Sequence, residues 1–417
     1  MGLLRAAVVA TMASAAVFLA AAGAGAQEWT RFRGPNGSGL SDATTVPVKW
    51  TEKDYNWKVT LPGGGHSSPV VWGDKVFLTC GDNDCAKRIL LCLRAADGSA
   101  LWTVEYPSKR HDLHSLNSYA TPTPTVDKDR VYACWATPRE FNVVALGHDG
   151  KEAWRRDIGP FVSQHGHGAS PILVDDMVVL SNDQDGRSFV VALDAATGKT
   201  RWLTPRRSAK ACYSTPAIFQ REGGPPELIL TSAAHGITSV DPKTGAVNWE
   251  VAEALPKRVV SSPLVAGGLI LSACGEGGVG MHLVAIRPDQ RSPEIAPKEA
   301  YRITRNPPYV PTAIAKGDLV FLWGDAGTVI CIRAATGEEV WREKVGGNFF
   351  GSPVWVAGRL YCISAKGEVV VLAAADKFEL LARNGLGEAS QATPAVSGGR
   401  MYLRTYSHLI SIGGPRP

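Results

Sequence analysis

After residue 26 the chain has no long apolar run, no sustained helical period and no two adjacent cysteines. The first absence excludes a membrane-spanning helix from that region. The second argues against an α-rich body. A Gly-x-Ser-x-Gly elbow and a metalloprotease His-Glu pair are missing too, so no assembled catalytic constellation is legible. Charge is modest, 20% of residues with a formal net of +5. That balance permits anionic partners without demanding them, and it speaks against nucleic acid. Abundance lies elsewhere: 44 glycines and 27 prolines mark a chain of many turns.

Residues 1–26 carry Arg5 as their one charge, then an apolar run, then Ala24-Gly25-Ala26, a small-x-small cleavage site. The expectation is a signal peptide cut near Ala26-Gln27 and a periplasmic or secreted protein. Gln27 stands where an exported lipoprotein would have its lipidated cysteine. An arm, 27–55, is expected to precede a repeat body, 56–417.

The stretch Gly198-Lys199-Thr200 ends as a phosphate-binding loop does, but Leu193 holds the place of the first glycine. Its context explains it better. LDAATGKTRW (193–202) recurs as LRAADGSALW (93–102), LGHDGKEAW (146–154), VDPKTGAVNW (240–249) and IRAATGEEVW (332–341). Each reads as a strand, a tight glycine turn and a strand bearing tryptophan. A second mark precedes it, a small residue, a proline and an alternating strand, at Pro69, Pro124, Pro171, Pro216, Pro263, Pro311, Pro353 and Pro394. Their spacings of 41 to 55 residues match a four-stranded propeller blade. The last unit lacks its fourth strand, which Asn56-Trp57-Lys58-Val59 supplies from the other end. The fold expected is all-β: an eight-bladed β-propeller of four-stranded antiparallel blades, closed by the Trp57 strand. Seven blades is the alternative, if the long 287–308 connection hides an irregularity.

The A-x-x-x-T-G-x-x-x-W repeat resembles the tryptophan-docking motif of the quinoprotein (PQQ-like) propeller superfamily. The arm Trp29-x-x-Phe32-Arg33-Gly34-Pro35-Asn36-Gly37-Ser38-Gly39 looks like that of exported PQQ-like repeat proteins. The resemblance implies that Trp57, Trp102, Trp154, Trp202, Trp249 and Trp341 wedge between neighbouring blades. It also implies two functions. PQQ-dependent alcohol dehydrogenases hold the quinone between a tryptophan and a disulfide of adjacent cysteines, above calcium. BamB-type outer-membrane assembly factors are non-enzymatic scaffolds tethered by a lipidated cysteine. This chain departs from the first by its separated cysteines and from the second by Gln27.

Propeller topology sorts the loops. A–B and C–D turns share one face and are short and alike; D–A and B–C connections share the other and are long and varied. A ligand site belongs on the second face or in the channel. Its candidates are His66, Tyr119, His165, His167, Tyr213, Phe350 and Gln391. They could bind a small molecule or a transition metal through neutral imidazole, or simply hydrogen-bond local backbone. Cys80 and Cys85 flank a turn at a spacing that permits a disulfide; the other cysteines read as core filler. Arg206, Arg207 and Lys210 belong to a series of basic clusters near the fourth strands. They could meet an anionic glycan, lipid headgroup or acidic protein, or merely discourage edge pairing. The leading expectation is a monomeric, non-catalytic binding scaffold without a cofactor. The rival is a quinoprotein-like oxidoreductase using PQQ with calcium, or a transition metal, in the central channel.

Overall fold

The alternating segments behind each proline form short inner strands, and the apolar runs that follow form longer ones buried on both faces. The computed structural model describes residues 27–289, 292 and 295–414; the expected signal peptide lies outside them. Blade 1 comprises Val70–Trp72, Lys75–Gly81, Arg88–Arg94 and Ala100–Tyr106, strands A to D from the channel outward. Blades 2 to 7 repeat that order over 125–157, 172–206, 217–251, 264–303, 314–344 and 354–385. Blade 8 takes strands A to C from 395–413 and its outer strand from Tyr55–Thr60, which pairs antiparallel with His408–Gly413. The fold is an eight-bladed propeller closed by the Trp57 strand. The 287–308 connection contains the fourth strand of blade 5, Lys298–Ile303.

The tryptophans act across blade junctions. Indole Nε1 of Trp57, Trp102, Trp154, Trp202 and Trp341 donates to a carbonyl in the next blade's C–D turn: Ala95, His148, Ala195, Pro242 and Ala375. The turn glycine is part of the fit. Gly198 has φ +69°, and a Cβ there would lie 2.7 Å from the Trp154 ring. Tyr301 substitutes for tryptophan in blade 5 and donates its hydroxyl to Ala334 O. Two junctions differ: blade 7 has Leu381 near the tryptophan's place, and Trp249 of blade 4 turns back into its own blade and donates to Glu227. Glu227 also takes the buried Arg221 guanidinium.

Seven of the eight prolines stand directly before a strand A. Pro311 does not, because that strand begins at Ile314, and Thr312-Ala313 fills the position that Ser-Pro or Thr-Pro occupies elsewhere.

The arm does not stand apart. Trp29 exchanges two backbone bonds with Val71 of blade 1, and Thr30 O accepts from Val126 of blade 2. Asn36 pairs through its amide with Ile218 of blade 4, and Leu40–Ser41 adds a parallel strand to blade 7. Glu28 reaches the A–B turn of blade 1 at Gly73, and Thr45 that of blade 8 at Gly399. The arm therefore closes the channel mouth on the A–B/C–D face.

Candidate functional site: the blind central channel

The residue before each strand-leading position is Ser or Thr, and the eight form a ring. Each hydroxyl accepts the backbone N–H of its counterpart in the preceding blade: Ser68 N–H to Thr123, Thr123 to Ser170, Ser170 to Thr215, Thr215 to Ser262. The circuit continues through Thr312, Ser352 and Thr393 back to Ser68, all at 2.9–3.2 Å. Such bonds satisfy backbone donors that crowd the axis without a sheet partner. Sequence reading had registered these positions only as small residues before proline. The recurring hydroxyl was the available signal.

Above the ring opens a cavity of about 400 Å³. Its wall includes the eight ring residues and the D–A or B–C residues His66, His114, His165, Arg258 and Asp325. Phe32 of the arm also lines it, so the well is blind on the arm's side and opens on the D–A/B–C face.

Of the sequence candidates, His66, His165, Tyr213, Phe350 and Gln391 meet in this wall. Tyr213 bonds Ser163 through its hydroxyl. Two candidates are elsewhere. His167 is buried against Phe141 and Phe161, with ring centroids 4.4 and 4.9 Å away. Tyr119 turns outward, where its hydroxyl bonds His111 O and the Arg88 guanidinium stacks on its ring at 4.4 Å. Arg258, which in sequence belongs to the series of basic clusters, joins the wall, as do Asp325, Asn117 and Tyr309, which no sequence pattern marks. Conversely, Arg206 is no surface cation. It is buried and ion-paired with Asp183 at 2.8 Å, with a further bond to Ser232. Arg207 and Lys210 face Glu250 and Glu276. The Cys80–Cys85 bridge that the spacing permits is not formed here, both thiols being free. Cys80 points into the core beneath Arg404, whereas Cys85 is exposed in the hairpin.

Electrostatics in the well follow from burial. Desolvation, then the neighbouring Arg404 charge, pulls His66 down to about 4. Desolvation and Arg258 lower His165 as well. Both imidazoles are therefore neutral at physiological pH. Asp325 is raised by desolvation, even though its two oxygens accept the N–H groups of Tyr309 and Val310 at 2.7 and 3.0 Å.

The family profile described as outer membrane protein assembly factor BamB matches residues 86–307 and 294–412, most of the chain. The chain belongs to this family. The BamB of Burkholderia pseudomallei (strain K96243) is 23% identical over 387 residues, spanning 88% of this chain and 91% of that protein. The crystal structure of BamB from Moraxella catarrhalis superposes with a TM-score of 0.59 at 16% identity, covering 86% of this chain and 96% of that one. Quinohemoprotein alcohol dehydrogenase from Comamonas testosteroni superposes at 0.65 with 13% identity, covering 94% and 81%. These structural likenesses speak to the fold. Whether the dehydrogenases' cofactor fits this channel is read from the side chains that line it. The quinone pocket requires tryptophan, adjacent cysteines and acidic calcium ligands. Here the wall has Phe32, no cysteine and the single carboxylate of Asp325. Among the described residues no three His, Cys, Asp or Glu side chains group to hold a metal. The residues present do not fit that cofactor.

Proposed function

We propose that the protein is an exported, non-catalytic scaffold that binds a protein partner in outer-membrane protein assembly through its D–A/B–C face. BamB-family membership supports the process. One observation supports the face: three large apolar side chains stand exposed there, Leu116 and Val162 in D–A connections and Val279 in the blade 5 B–C turn, with Val279 71% exposed. Isolated exposed apolar residues are ordinary; Leu116, which also lines the cavity on the face the arm leaves open, supports this face as the docking side. A glycan- or lipid-binding rim has less support, since Arg206, Arg207 and Lys210 each already face a carboxylate.

A photo-crosslinking residue at position 116, 162 or 279 should capture outer-membrane assembly components in the periplasm, whereas one at Lys199 or Lys243 on the turn face should not. Equal labelling from both faces would sink the assignment. Purified protein mixed with PQQ and calcium should take up neither. Stoichiometric uptake with dye-linked alcohol oxidation would overturn the non-catalytic reading in favour of the oxidoreductase.

A further inference from the structure

The docking face does not use the charge within the channel. Arg31 and Arg33 flank Phe32, both buried, and donate to the carbonyls of Pro216 and Ala313, each one residue past a ring hydroxyl. Arg404 is likewise buried, bonding Ser67 O and Thr79 O at 2.8 and 2.7 Å and the Cys80 thiol. Arg258 stands in the wall itself, its Nε held by Ala211 O at 3.1 Å. None of the four has a carboxylate within ion-pair distance among the described residues.

The molecule supplies its own control. Where a buried arginine serves the body of a blade, as Arg206 and Arg221 do, an acid accompanies it: Asp183 and Glu227. Arg88, between blades 1 and 2, stacks on Tyr119 instead. Around the channel no acid closes to ion-pair distance on these four: Glu388 and Glu276 act on Arg404 and Arg258 only through space, and Arg258 is the one of the four that lines the well. Desolvation drags Arg31 and Arg33 down to about 9, so both still carry charge at neutral pH. Burying unpaired charge is expensive, and a negative group brought into the well would offset it. The wall is furnished to receive one. Each ring hydroxyl accepts a bond, and none donates its own proton to an acceptor among the described residues. The Nδ1 atoms of His66 and His165 are buried without partners. The only carboxylate, Asp325, is engaged by backbone.

We propose that the channel is the docking well for an acidic chain end of the partner protein: a terminal carboxylate and a neighbouring acidic side chain meet Arg258 and the hydroxyl ring, and an aromatic side chain packs on Phe32, Tyr213 and Phe350. The assignment rests on the scaffold reading and names the chemistry it recognises. A chain end fits better than a through-running segment because Phe32 stops the channel. About 400 Å³ lies at the low end of ligand-site volumes and accommodates about two residues. Leu116, both in the wall and exposed, carries the surface from the well out onto the docking face.

The test is fluorescence anisotropy of the full mature chain with fluorescein-Gly-Ser-Glu-Glu-Phe bearing a free carboxylate. The comparison peptide is amidated Gly-Ser-Gln-Gln-Phe, and citrate is the competitor. The acidic peptide should bind at least about tenfold tighter than the neutral one, and its affinity should fall with added salt. Arg258→Gln should weaken it about tenfold or more, with Arg258→Lys in between. Equal binding of the two peptides, no binding of the acidic one, or an unchanged affinity in folded Arg258→Gln would overturn the proposal. Citrate binding tighter than the peptide would also overturn it, reassigning the well to small free anions. Should Arg258→Gln fail to fold, the peptide pair and the salt series still decide. Crosslinking from positions 116, 162 and 279 in Arg258→Gln separates the two readings: retained crosslinks with lost peptide binding leave the scaffold standing, and their retention with unchanged peptide binding removes only the well.

Discussion

The two mouths of the channel are built from the same eight blades and differ in what covers them. On the A–B/C–D side the turns are near copies, and the arm crosses them with Trp29 wholly buried. On the D–A/B–C side the connections are unlike one another, and Val279, Val162 and Leu116 face solvent. The difference separates a face built for stability from the face we propose for recognition. A repeated turn presents a repeated surface, which a single lacing segment can seal; unrepeated loops give the asymmetry that a specific partner needs.

Substitutions that break this contrast rank by side. Trp29→Ala, on the sealed mouth, should cost about 3–5 kcal/mol in a urea titration, because a fully buried indole leaves a cavity against blade 1. Gly34→Ala should cost about 2 kcal/mol by the same measurement: its φ is +67°, and a Cβ would lie 2.6 Å from the Trp29 ring. Trp249→Phe should follow at about 2 kcal/mol, since it strips a donor from the buried Glu227 carboxylate. Trp202→Phe, losing a neutral bond to Pro242 O, should cost about 1 kcal/mol. If the cross-blade indole proved the costlier, the distinction between the two junction types would fail.

The open mouth should answer to pH. Burial lowers His66 to about 4 and His167 to about 3, so between pH 6.5 and those values the unfolded chain binds protons that the folded chain refuses. Stability is therefore full above pH 6.5 and falls as pH drops, by at most about 1.4 kcal/mol per pH unit for each group. His167→Leu should flatten that fall in thermal melts between pH 7 and 4; an unchanged slope would assign the loss to other groups. Smallest of all, Val279→Asp should shift stability by no more than about 0.5 kcal/mol while reducing partner crosslinking from positions 116 and 162. A large loss of stability there would erase the contrast between the mouths.

The blades were legible because each repeated tryptophan strand follows a glycine turn, and their closure because Asn56-Trp57-Lys58-Val59 resembles such a strand ahead of the first unit. The ring was half legible. Every unit shows its hydroxyl, yet the donor it satisfies belongs to the preceding blade, 40 to 55 residues back except where Thr393 closes the circuit onto Ser68, and no local pattern reveals that partner. Pro311 misled for a related reason: the proline slid two positions while Thr312 kept the hydroxyl in register. In the channel, type and position along the chain sufficed for His66, His165 and Tyr213. They failed for His167 and Tyr119, whose directions are set by Phe141, Phe161 and Arg88. Arg206 looked like a surface cation because its acid, Asp183, is 23 residues away in sequence and adjacent only in the sheet.

The outer strand of blade 8 also imposes a schedule. Asn56 bonds Gly413 O across 357 residues, so a segment near the start of the chain has no sheet partner until almost everything else has been made. Contacts of that span form late and slowly. During that wait Tyr55–Thr60 is an unclaimed edge, and the arm just ahead of it cannot be tethered from both ends. Closing the wheel is then expected to come last, as a latch between the chain's two ends.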